Sequence, residues 1–472
     1  MNTRNLILIH ALILFILWGL ALTTNGVGGG GDSLTHYFIS ELAWTQPFYF
    51  FDQWGKPFFT LFSSPWSQAG FVGIKLFNTL CGVLASLFTC LTARELKKDW
   101  FFSIPLIAFI APAFFTYLFS GLTEPFAALV SIVSVWLCLR GKVNTGFLLA
   151  GFLPFCRSEA QVFLVFFFLF GMLNGHWKKL PLLFIGYLAY SILGGFFHDN
   201  FLWVFDSPYD SQGSVYGKGV WYHYLARLGV MLGVPGVALA GLGFIQFFRR
   251  WFWLKDINWK TEPWLVHGPF TALLCAHSLV WALGIYGSAG LERTLMTAFP
   301  FLWIIMLDGL LLLRDLSAMI RKSWSPALPL LILVLQITYV LTNPSSKYYW
   351  QTNLFLNPEN KFLKEEVGPY IKEHYPDVTT FVMDKPYMAV ALDVNFKNPE
   401  QRQAWYIYNK AEEVDSASTL WLYDGYYVRT QYSITLEQIR SENKLEEIKS
   451  WDGPSDWNFV LFKKRASSAP TP

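Results

Sequence analysis

The chain reads as a mostly α, polytopic transmembrane protein of about eleven helices with a small soluble α/β domain at its C-terminus. Three observations predict this. Hydrophobic residues fill 53% of the 472 positions and charged residues 15%, against the roughly 25% charged share of a soluble domain. The apolar residues gather into runs that approach the roughly 20 residues a helix needs to cross a bilayer, where only helices and closed barrels satisfy their backbone. Lys and Arg are divided unevenly among the loops, as expected when cytoplasmic loops retain positive charge.

The candidate spans are 6–24, 70–91, 101–119, 124–139, 143–156, 158–173, 180–197, 225–248, 268–286, 291–313 and 327–342. The fourth to sixth are short enough to be tilted or re-entrant. The first follows Arg4, and Leu22-Thr23-Thr24-Asn25 is a poor cleavage site, so it reads as an uncleaved helix and not a signal peptide. With the N-terminus in the cytoplasm, fifteen of the 21 Lys and Arg in residues 1–342 lie on the cytoplasmic side. The other six are Lys56, Lys75, Arg157, Lys218, Arg227 and Arg293. An odd number of spans then places the tail outside. The division expected is a membrane part at 1–342, with a first outer loop at 25–69, and an extracytoplasmic α/β part at 343–472.

In the tail, Phe362, Val367, Tyr370 and Ile371 recur at helical spacing within 357–374, whereas Thr379–Met383, Thr419–Tyr423 and Phe459–Phe462 are short, bulky and β-prone. The end, 466–472, has the composition of a frayed terminus. A net charge of +3 forms no basic stripe able to neutralise a run of phosphates, which excludes nucleic acid as a partner. The five cysteines, at 81, 90, 138, 156 and 275, show no metal-ligand spacing and read as buried packing residues.

Under this topology the unusual polar residues collect on the outer face. The first outer loop is too long and too aromatic for a plain connector or a disordered segment, and it contains Asp32, His36, Asp52 and Lys56. Asp32 ends a glycine run and opens a helix-like stretch. Its structural reading is an N-cap, and its functional reading a carboxylate held at a site mouth. His36, four residues on, shares that helix face. Glu124, before Pro125, fits a helix start, where its charge would offset the dipole. Arg157 and Glu159 fit an ion pair. His198, Asp199, Asp206, Asp210 and Lys218 lie in the next long outer loop, and Glu292-Arg293 before the tenth span. Ionisable groups at membrane helix ends are costly unless they pair or face water, and five separate outer turns supply them.

At these residues the chain resembles the GT-C superfamily of membrane glycosyltransferases, which includes protein mannosyltransferases and aminoarabinose transferases. The matches are Gly31-Asp32 through Tyr37, Gly55-Lys56-Pro57, Leu122-Thr123-Glu124-Pro125, Arg157-Ser158-Glu159 and Glu292-Arg293. The resemblance implies an inverting enzyme in a bacterial inner or plasma membrane, taking sugar from a polyprenyl-phosphate donor to a lipid, glycan or protein acceptor on the extracytoplasmic face. It assigns the catalytic base to Asp32, and donor or acceptor binding to His36, Asp52, Lys56, Glu124, Arg157, Glu159, His198 and Arg293. Ser33 follows Asp32 where a second acid is frequent in the superfamily, so that the second carboxylate is either Asp52 or absent. No metal ligand set and no certain cofactor is assigned; a divalent metal is compatible but not indicated. The competing reading is a multi-pass transporter or lipid flippase. Such proteins place their charges near the bilayer midplane in repeated halves, whereas here the charges sit at helix ends and no repeat is present.

Overall fold

The computed structural model describes every residue except 207–212, 215, 345, 350–352, 415–417, 455–457 and 466–472, so Asp210 and the terminal tail lie outside it. The chain begins with α1 (Thr3–Thr23), α2 (Gly30–Leu42), α3 (Pro57–Ser67), α4 (Gly70–Glu95), α5 (Ile104–Phe109), α6 (Pro112–Tyr117), α7 (Glu124–Leu139) and α8 (Val143–Ala150). It continues through α9 (Leu153–Cys156), α10 (Gln161–Leu173), α11 (Ile185–His198), α12 (His223–Leu232), α13 (Val234–Phe248), α14 (Gly268–Leu283), α15 (Phe299–Ile320) and α16 (Ala327–Thr342). Among the described residues, six helical stretches are long and apolar enough to cross a bilayer: Thr3–Thr23, Gly70–Glu95, Trp177–His198, Pro263–Leu283, Glu292–Ile320 and Lys322–Thr342. Most of Glu292–Ile320 is buried at the centre of the bundle, with Met319 and Ile320 exposed at its end, while the first and last of the six face mostly outward. With the fold shared described below, this makes the chain an integral membrane protein.

Each candidate span coincides with helix, but three are not single helices, and the fifth of the spans divides into α8 and α9. The third breaks between α5 and α6 at Pro112, and the eighth between α12 and α13 at Gly233, whose φ of 77° no ordinary helix contains. Breaks in an apolar bundle free backbone groups that must find new partners. One side chain of α16 serves both. Gln336 Nε2 donates to the Ile110 carbonyl at 3.0 Å and to the Leu232 carbonyl at 2.6 Å, while its Oε1 accepts from Gly236 N at 3.0 Å.

Close approach fixes the centre. A Cβ at Gly243 of α13 would lie 1.9 Å from the Ile305 carbonyl oxygen, and one at Gly309 of α15 2.2 Å from that of Leu239, so each helix has no side chain where the other's backbone presses in. Cysteines 81, 90, 138 and 156 are buried as expected, but Cys275 is not. It sits on α14, many of whose side chains face out of the bundle, and apolar runs in a membrane do not imply burial in protein.

The tail holds a five-stranded sheet of order β2-β1-β3-β5-β4, with β1 (Thr380–Val382), β2 (Arg402–Gln403), β3 (Thr419–Asp424), β4 (Leu445–Asp452) and β5 (Asn458–Lys464). The first three pair in parallel and β5 runs antiparallel to both β3 and β4. β3 is buried along its whole length, and Trp405, Tyr408, Trp421, Val460 and Phe462 pack one core against it. The sheet unit sits on α2: Asn395 Nδ2 donates to Glu41 Oε2 at 2.7 Å and to the Phe38 carbonyl at 3.2 Å, and Tyr49 Oη donates to the Lys397 carbonyl at 2.7 Å.

Candidate active site

Four turns converge at one end of the bundle. Ser33 of α2 accepts a hydrogen bond from Gly121 N at 2.6 Å, and a Cβ at Gly121 would lie 2.2 Å from the Ser33 carbonyl oxygen. The start of α2 is thereby locked against the turn that leads into α7. Asn78 of α4 ties that turn down from below, donating to the Ser120 and Leu122 carbonyls at 2.6 and 2.8 Å. Pro125 opens α7 with its missing N–H at a position that needs none, and presents Glu124 inward.

Around Glu124 a continuous ionic chain forms. Arg157 Nη1 lies 2.8 Å from Glu124 Oε2, and Arg293 Nη1 lies 3.7 Å from Glu124 Oε1. Arg293 also pairs with Asp32, and Arg157 with Glu159. Arg157 further donates to Thr123 Oγ1 at 2.9 Å. The sequence Asp32–Arg293–Glu124–Arg157–Glu159 thus links α2, α7, the turn before α10 and the turn before α15. Glu124 is fully buried, Arg293 9% exposed and Asp32 38% exposed at the side chain, so the chain opens to solvent at Asp32.

Asp32 is not the N-cap. The helix begins one turn earlier with Gly29 at the cap, so Asp32 lies within the first turn and its carboxylate turns to Arg293. His36 is on the same helix but buried against the Phe59 ring, with its Nδ1 unpartnered. Burial and the surrounding Lys56, Arg157, Arg293 and Lys397 hold its pKa well below the ordinary range, so the imidazole is neutral. Asp52 does not supply a second carboxylate to the chain. Its Oδ1 accepts from Gly55 N at 2.6 Å and closes the turn ahead of Lys56. His198 is also elsewhere: it bonds the Phe51 carbonyl through Nε2 at 3.0 Å and stacks on Trp203 at 4.3 Å.

Lys56 Nζ donates to Ser158 Oγ at 3.1 Å. Both border a cavity of about 200 Å³ whose polar side carries Gln53 and Gln161 and whose other wall is Phe155, Tyr187, Trp203 and Phe205. A polar end beside an aromatic wall suits an amphiphile with a charged head. Glu292, next to Arg293, turns away to accept from Lys347 Nζ at 2.7 Å and Tyr348 Oη at 3.0 Å, anchoring the segment after α16. Thr123 and Ser158 were not singled out from sequence, although they flank Glu124 and Arg157 directly.

Among the described residues, one group of three has metal-ligand geometry: Glu262, His267 and Asp308, at the opposite end of the bundle from Asp32. There Lys98 Nζ lies 2.7 Å from Glu262 and 2.8 Å from Asp308, so an internal ammonium occupies the cation position. Asp308 lies in the middle of the apolar α15, a signal that sequence reading passed over.

No protein-family model matches the chain, and no curated protein matches it by sequence. The fold does match. The crystal structure of ArnT from Cupriavidus metallidurans bound to undecaprenyl phosphate superposes with a TM-score of 0.60 at 12% identity, over 99% of each chain. The chain shares its fold with ArnT. The apo structure of the same protein gives the same values. The expected architecture, a helical membrane part with a sheet-bearing C-terminal part, is therefore observed.

Proposed function

We propose that this protein is a membrane glycosyltransferase that moves a sugar from a polyprenyl-phosphate donor to an acceptor hydroxyl on the extracytoplasmic face, with inversion at the sugar carbon. The observation that carries this reading is the ionic chain, whose accessible member is the Asp32 carboxylate, beside the Lys56–Ser158 cavity. The shared fold supports it, because an ArnT structure holds undecaprenyl phosphate.

Without donor, Arg293 is held by Asp32 and Glu124. A lipid phosphate competes for the same donors, and its arrival leaves an Asp32 oxygen to take the acceptor proton as the hydroxyl attacks the anomeric carbon. The bond from sugar to phosphate oxygen breaks, and the charge that grows on the phosphate is met by Arg157, Arg293 and Lys56 in a site shielded from bulk water. One displacement inverts the anomeric centre. Residues 1–342 carry this chemistry with the N-terminus in the cytoplasm, and residues 343–472 lie outside and cover α2. His36 is a packing residue of the site, His198 backs Trp203 of the cavity wall, and Asp52 closes the turn that leads to Lys56.

The test is purified protein in liposomes with a panel of radiolabelled polyprenyl-phosphate sugars. Label should leave the lipid only with active protein. Lipid that changes leaflet with its label intact would establish the flippase alternative instead.

A further inference from the structure

The end of the bundle away from Asp32 carries a surface of another kind. Trp177-Lys178-Lys179 opens the membrane span Trp177–His198, and Trp259-Lys260 stands just ahead of the span Pro263–Leu283. One side chain joins the two segments across 86 residues of sequence. Asn174, just past α10, donates from Nδ2 to the Lys260 carbonyl at 2.8 Å and to the Phe170 carbonyl at 2.9 Å. Each segment is also pinned locally: Lys179 N donates to the His176 carbonyl at 2.8 Å, and the Trp264 indole N–H to the Trp259 carbonyl at 3.0 Å. In both segments the lysine ammonium lies over the indole that precedes it. Lys178 Nζ is 5.2 Å from the Trp177 ring centre, and Lys260 Nζ 5.8 Å from that of Trp259. The two indoles are 60% and 52% exposed.

The adjoining turn adds apolar surface. α13 runs on into a π turn, Arg249–Leu254, and Arg250 within it pairs with Asp256 at 3.0 Å and with Glu262 at 3.2 Å, which folds the turn onto the Trp259 loop. Its Phe252, Trp253 and Leu254 are all exposed. The charge here is one-sided. Among the described residues Lys178, Lys179, Lys255 and Lys260 form no ion pair, and the two acids of these loops are taken, Asp256 by Arg250 and Glu262 by Lys98 inside the bundle. A soluble anion would meet the ammoniums but leave the rings in water. Because the indoles stand where apolar spans begin, they lie at the level where a bilayer passes from acyl chain to headgroup. A negatively charged phospholipid answers both features, phosphate to lysine and chain to indole, whereas a zwitterionic one brings a cation of its own against the lysines.

We propose that the Trp177-Lys178 and Trp259-Lys260 segments form one binding site for an anionic phospholipid, with its phosphate on the two ammoniums and its acyl chains along the two indoles. Under the topology given above, this lipid belongs to the cytoplasmic leaflet. Binding here needs neither Asp32 nor sugar transfer, so its failure and that of the transferase reading are separate events.

The experiment is native mass spectrometry of the full chain released from detergent micelles that contain equal amounts of dioleoyl phosphatidylglycerol and dioleoyl phosphatidylcholine. The wild type should retain phosphatidylglycerol in preference. In Lys178→Gln/Lys260→Gln that retention should fall about tenfold, and in Trp177→Ala/Trp259→Ala it should fall as well. Both lysines are exposed, so the glutamine pair should keep the wild-type thermal midpoint. In Arg94→Gln/Arg140→Gln, whose arginines stand at the same end but are already bonded to Thr3 and Glu95, retention should be kept. Glycerophosphate, which has the phosphate and no chains, should not displace the lipid. No preference in the wild type, retention unchanged by the lysine or the tryptophan pair, an equal loss in the arginine pair, or displacement by glycerophosphate would overturn the proposal.

Discussion

Among the described residues the helical bundle holds two buried ionic clusters, one at each end, and they differ in a way that separates structure from chemistry. At the Lys98 end, Lys98 sits between Glu262 and Asp308, all three nearly inaccessible at the side chain, and Arg250 joins Glu262 to the half-exposed Asp256. The cation position between Glu262 and Asp308 is taken by the protein itself. At the Asp32 end, three carboxylates share two guanidiniums, the carboxylate at one end is open, and an amphiphile-shaped cavity adjoins. Buried pairs of either kind contribute little net stability but are costly to break. An adjoining cavity is what a site needs and a strut does not.

The sharpest separation comes from Lys98→Ala, which leaves Arg250 alone to face the Glu262 and Asp308 carboxylates in the bundle. It should lower stability by about 3–5 kcal/mol, read as a lower thermal midpoint in detergent, while the rate per folded molecule stays near wild type. A stable variant that has lost transfer would instead place chemistry at that end. Next, Arg157→Lys keeps a cation beside Glu124 but removes the planar fork. Transfer should fall about 10²-fold with insertion unchanged, and a loss of folded protein without a loss of rate would class Arg157 with the struts.

A smaller effect lies in the sheet unit. Burial pushes the Asp424 carboxyl up to about 6, against the pull of its N–H donors and Lys385, and its Oδ2 has no partner. A raised folded pKa stabilises fully below the unfolded value near 3.9 and loses that contribution as pH rises through about 6. Amide-exchange protection of β3 and β5 should therefore fall between pH 5 and 7.5 by about 2 kcal/mol at most, and Asp424→Asn, which keeps the turn acceptor, should flatten the change. The smallest effect is Arg140→Ala. Its pair with Glu95 has the arginine half exposed, and stability should move by less than about 1 kcal/mol.

Much of this arrangement was legible in the chain. The helix positions followed from apolar runs, and Glu124, Arg157 and Arg293 stood out because ionisable groups at helix ends need a reason. What sequence could not supply is partnership across distance. Gly121 and Ser33 are 88 residues apart, and nothing local says that one needs the other's backbone. Asp32 follows a glycine run and looks like a cap, yet the helix starts earlier because glycine at 29 takes the left-handed turn, which frees the carboxylate for Arg293. Breaks at Pro112 and Gly233 were written in the residues themselves, but their tolerance depends on Gln336, an unremarkable amide in an apolar helix. Tyr427 follows β3 in a visible aromatic run, and only the docking of the sheet on α2 brings it against Gly31, the residue before Asp32.

The central claim is that the open carboxylate is the chemical one, and Asp32→Asn tests it most directly. Asparagine is close in size and still accepts a hydrogen bond from Arg293, so the site should keep its shape while losing the proton acceptor. In the liposome assay transfer should drop about 10²-fold or more, with protein level and membrane insertion unchanged and undecaprenyl phosphate still bound. Transfer that survives nearly intact in a folded, inserted Asp32→Asn protein would contradict the account.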